Sequence, residues 1–77
     1  MPVQAARQRL LALARARGGV LTADAVEADE LLAADPVSTA AAAHELATRP
    51  EIETSERSGE QGWFPFEFMR FGSAGER

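Results

Sequence analysis

The sequence has no cysteine, lysine, asparagine or tyrosine, and only one histidine among its 77 residues. Without cysteine, a disulfide scaffold or a thiolate-ligated zinc or iron–sulfur site is excluded. A lone histidine likewise excludes a multi-histidine metal centre, and no metal or cofactor is expected. No apolar run approaches the roughly 20 residues that a membrane-spanning helix needs. Large apolar side chains are also scarce. Of the residues that make the chain 45% hydrophobic, 16 are alanine and 19 are larger. The five aromatics, Trp63, Phe64, Phe66, Phe68 and Phe71, all fall within one nine-residue stretch.

What remains is compact and unevenly charged. The length suits one small domain, placed at residues 1–71, with residues 72–77 as a flexible polar tail. The thin supply of large apolar groups leaves homodimerisation open as a way of covering apolar surface. Net charge is −4. Residues 1–20 hold Arg7, Arg9, Arg15 and Arg17 with no acid, whereas residues 24–35 hold Asp24, Glu27, Asp29, Glu30 and Asp35 with no base. An acidic balance argues against indiscriminate nucleic-acid binding, which draws its affinity from phosphate neutralisation. It does not exclude a local basic footprint. The arginine-rich start is transit-peptide-like, but it lacks serine and runs directly into the domain. No secretory apolar segment is present, and the expected compartment is the cytoplasm. Carboxylates are plentiful but lie in surface-like contexts, and no glycine-rich phosphate loop follows a strand, so no enzymatic role is expected.

Periodicity divides the chain into elements. Val3, Ala6, Leu10, Leu13 and Ala14 recur at helical spacing among strong helix formers, which predicts a helix from Val3 to Arg17. Gly18-Gly19 ends it. Val20-Leu21-Thr22 suits a very short strand. Thr22 then caps a second helix running from Ala23 to about Ala33, with Val26, Leu31 and Leu32 inward and Asp35-Pro36 as its stop. Ser38 is the expected cap of a third helix over Thr39 to Thr48, whose Ala42, Ala43, Leu46 and Ala47 form a small-residue face. Pro50 closes that helix. Glu51 to Arg57 and Trp63 to Phe71 read as two strands joined by a turn at Ser58–Gly62, a β-hairpin. Pro65 lacks an amide donor, which places the second strand at a sheet edge.

The order helix, short strand, two helices and hairpin resembles the winged helix-turn-helix superfamily over residues 3–71. Val20-Leu21-Thr22, Val37-Ser38-Thr39 and His44-Glu45-Leu46 carry the likeness, with Ile52 to Phe71 as the wing. The stretch from Thr22 to Val37 is several residues longer than the compact motif. The resemblance implies an α+β domain of three helices with a C-terminal hairpin. It also implies a regulator-like module whose third helix and wing bind duplex DNA. The contacts carried over are Ser38, Thr39, His44, Arg49 and Arg57, helped by Arg7 and Arg9. Base readout favours Arg, Lys, Asn and Gln, and the third helix offers none of these.

The alternative is a protein-interaction or dimerisation module. Alternation along the aromatic strand puts Phe64, Phe66 and Phe68 in the core. Trp63, Pro65, Met69 and Phe71 then fall on the opposite face, as a partner-binding surface. His44 serves as a phosphate contact or pH-sensitive group in one reading, and as an ordinary surface histidine in the other. The charged helices either contact partners or simply pair with each other and with water.

Overall fold

Helix α1 spans Val3–Ala16 and buries Ala6, Leu10 and Ala14, the stripe expected from its spacing. Its end is a Schellman closure: Gly19 N–H bonds the Ala14 carbonyl at 2.7 Å and Gly18 N–H bonds that of Arg15 at 3.3 Å. Both glycines take positive φ, +79° and +95°, which explains why glycine stands at each. The closure turns the chain into β1, Val20–Thr22, and the Gly19 carbonyl accepts from Phe71 N–H at 2.7 Å. The computed structural model describes residues 2–57 and 62–72. Of the expected turn at Ser58–Gly62 only Gly62 is described, and of the expected tail only Gly72.

The expected second helix is two helices, so the described chain holds four rather than three. α2 spans Ala23–Ala28 and α3 spans Glu30–Ala33, with Asp29 extended between them at φ −77°, ψ 122°. Neither glycine nor proline causes the break. The Asp29 carboxylate accepts from Leu32 N–H at 3.1 Å, capping α3, and from both Arg9 Nε at 3.2 Å and Arg9 Nη2 at 2.5 Å. Three bonds to one carboxylate outweigh the backbone bonds that continuing α2 would make. The extra length between Thr22 and Val37 is this additional turn of helix. Thr22 caps α2 as expected, accepting from Ala25 N–H. Of the three inward positions expected there, Val26 and Leu32 are buried, but Leu31 is 54% exposed. At five residues beyond Val26, it stands about 140° from that face even on a continuous helix.

Helix α4, Pro36–Ala47, begins earlier than expected. Asp35, not Ser38, is its cap: its carboxylate accepts from Ser38 N–H at 3.2 Å. The preceding helix ends at Ala33 ahead of a non-helical Asp35, as expected before proline, and Pro36 also occupies the first turn of α4, where its missing donor costs nothing. Thr39, Ala42, Ala43 and Leu46 are buried, and the alanines allow α4 to lie close against α1.

The sheet is antiparallel in the order β1-β3-β2, with β2 at Ile52–Glu56 and β3 at Phe66–Phe71. β3 is therefore the central strand, which overturns the expected edge placement. Pro65 lies just before β3, so its missing N–H interrupts no ladder. Ser55 pairs with Phe68 and Glu56 with Phe66, so Glu67 is an extra residue in a β-bulge. The bulge breaks the expected alternation. Phe66 joins Met69 in the core, while Phe68 is only half-buried and lies beneath the Arg70 guanidinium. Phe64, Phe66, Met69, Leu21 and Ile52 meet Leu10, Leu32, Leu46 and Val26 in one core.

Candidate interaction surface

The residues carried over as DNA contacts do not form one exposed basic surface. Thr39 is fully buried, with its hydroxyl 3.0 Å from the Leu32 and Asp35 carbonyl oxygens. It ties α3 to the start of α4 and cannot meet a ligand. Ser38 is half-buried beside its cap. His44 is exposed, and its ring stands edge-on to Phe66 at 5.3 Å. Arg49 is exposed just beyond α4.

Arg57 is drawn inward. Only 14% of its side chain is exposed, and its Nη1 donates to Glu27 Oε2 at 2.5 Å. The same Glu27 oxygen accepts from Phe64 N–H at 2.9 Å. Partial burial alone would raise the Glu27 pKa. The bonds from Arg57 and from the Phe64 and Trp63 amides outweigh it and hold this carboxyl below its ordinary value. The group is a clip joining α2 to the ends of the hairpin. Arg7 pairs with Glu45 on α4, Arg9 with Asp29, and Arg70 with Glu53. The bonds from Arg9 hold Asp29 below its ordinary pKa against the opposing effect of burial.

The four residues expected to form an apolar partner face are dispersed. Met69 is fully buried, because the bulge leaves it on the core side of β3. Trp63 and Phe71 are half-buried against the core, and Pro65 is half-buried. Among the described residues, the exposed large apolar ones are instead Leu31 at 54%, Val37 at 80% and Val20 at 36%. Leu31 and Val37 flank the connection from α3 to α4.

A groove of about 300 Å³ opens where the end of α1, the chain after α4 and the start of β2 converge. Leu11, Ala14, Ile52 and Phe71 supply its apolar lining, and Arg15, Arg49 and Glu51 its charges. Sequence reasoning placed Arg15 in the basic first helix, Arg49 among the DNA contacts and Glu51 in a strand. Nothing local reveals that residues 15, 49 and 51 share a groove.

Among the described residues, no group of three or more His, Asp or Glu is placed to hold a metal ion, and no helix is long and apolar enough to cross a membrane. No protein-family model, curated protein or solved structure matches the chain.

Proposed function

We propose that this chain is a non-catalytic, protein-binding module of winged-helix type that does not read duplex DNA through α4. The helix–strand–helices–hairpin order and the β1-β3-β2 sheet support the winged-helix part of the reading. In that arrangement α2 and α3 together stand for the usual second helix, and α4 for the third. The winged-helix assignment rests on architecture and the partner class on the surface.

One observation carries the choice of partner: the cations near α4 and the hairpin are neutralised. Arg7 is paired with Glu45, Arg57 with Glu27 and Arg70 with Glu53. Glu56 and Glu67 add exposed acidic residues on the hairpin. A DNA-binding face gains affinity by exchanging counterions for arginine and lysine, and this face has almost none to offer. Arg49 is the exception, and it favours DNA binding as the second reading.

An electrophoretic shift assay on duplex DNA at low salt tests the proposal, since screening is then weakest. The expected result is no saturable shift. A salt-sensitive complex that is lost on Arg49→Gln overturns the proposal in favour of the DNA reading.

A further inference from the structure

The groove at the end of α1 gathers two of the three described arginines that have no carboxylate partner; the third, Arg17, lies outside it. Arg7, Arg9, Arg57 and Arg70 each have a carboxylate partner. Arg15 and Arg49 have none among the described residues, and both line the same groove. Each stands at a helix C-terminus, Arg15 in the last turn of α1 and Arg49 just past the C-cap of α4. A helix end offers about half an elementary charge, so it orients a guanidinium without neutralising it. The floor between them is apolar: Leu11, Ala14, Ile52 and Phe71. A cavity of about 300 Å³ is at the small end of the range for ligand sites. It suits a large side chain with its neighbouring backbone better than a whole cofactor.

We infer that this groove docks a peptide segment of a protein partner in which a large apolar side chain is flanked by aspartate or glutamate. The inference rests on the protein-binding reading above and gives it a site. The apolar side chain fills the floor, and the carboxylate meets Arg15 and Arg49. Bidentate geometry makes guanidinium well suited to that task. Glu51 is the opposing charge on the rim. It repels an acidic segment on its own side and so orients the peptide toward the arginines. Removing that repulsion strengthens binding.

The test pans a phage-displayed random heptapeptide library on the full chain, with the Arg15→Gln/Arg49→Gln chain as the counter-selection. Recovered peptides are expected to place a large apolar residue within two positions of an acid. A synthetic recovered peptide is expected to bind about tenfold more weakly to the double variant, to weaken with added salt, and to bind more tightly to Glu51→Gln. Amide shifts in the nuclear magnetic resonance spectrum should centre on Leu11, Ala14, Ile52 and Phe71. These shifts and the Glu51→Gln response decide the matter even if the double variant folds poorly. A basic consensus, no enrichment over the double variant, or shifts centred on Leu31 and Val37 overturns the groove assignment and leaves the protein-binding reading standing. That reading fails separately, by the DNA shift assay.

Discussion

Single residues carry more of this structure than their types suggest. Glu27 binds Arg57 and the Phe64 amide while only 19% of its side chain is exposed. Hydrogen bonds to charged groups contribute about 1.5–3 kcal/mol each, so Glu27→Ala is expected to destabilise the fold by about 2 kcal/mol or more in urea unfolding. Gly62 belongs to the same clip, because a Cβ there would overlap the Glu27 carboxylate. Gly62→Ala should displace that carboxylate and be destabilising by itself, yet nearly neutral in the Glu27→Ala background. A double-mutant cycle measures the coupling. Thr39 makes a second case. Thr39→Val keeps the volume but removes the hydroxyl from two carbonyl oxygens that keep their backbone donors, at a cost of about 0.5–1.5 kcal/mol. Its effect should appear in stability and not in ligand affinity.

At the scale of elements, the break between α2 and α3 depends on the ionised carboxylate of Asp29. Both Asp29 and Glu27 have folded-state pKa values below their ordinary values of 3.8 and 4.5. A lowered carboxylate pKa means that folding favours the ionised form. The resulting stability is full above the ordinary value and is lost as pH falls through the folded value. Thermal midpoints should therefore hold steady from neutral pH to about 5 and fall below about 4. In Asp29→Asn the fall on acidification should be shallower. The two adjacent leucines of α3 differ in burial. Leu32→Ala should cost about 2–5 kcal/mol, because Leu32 is fully buried. Leu31→Ala should change stability by less than about 0.5 kcal/mol, because Leu31 is mostly exposed. Chemical denaturation of this pair checks that Leu32 and not Leu31 belongs to the core.

At the scale of the whole molecule, alanine and a short aromatic strand share the core. Ala6 and Ala14 on α1 and Ala42 and Ala43 on α4 are all buried, so the small residues bring the helices close instead of leaving a void. Close helix packing thus offsets part of the shortage of large apolar groups. α1 was legible because its stripe, its formers and its glycine stop all agree. β1, its following cap at Thr22 and the hairpin were legible because their signals are also local. The cap of α4 was missed because Asp35-Pro36 reads equally well as a stop and as a start. The candidate site was much less legible. Thr39 and Arg57 are ordinary ligand-binding types, and only their partners across 7 and 30 residues take them out of reach.

Composition and periodicity by themselves determined the α+β class, the absence of any cysteine chemistry and the approximate extent of most elements. These depend on interactions within about one turn or one hairpin. Tertiary structure alone decided which arginines are neutralised, which face of β3 is buried and where an open groove lies. Each of those depends on long-range placement: Arg57 with Glu27, the bulge at Glu67 against Ser55 and Glu56, and Arg15 and Arg49 on one groove. Ion pairing and sheet register are set by distances in space, which sequence spacing does not encode.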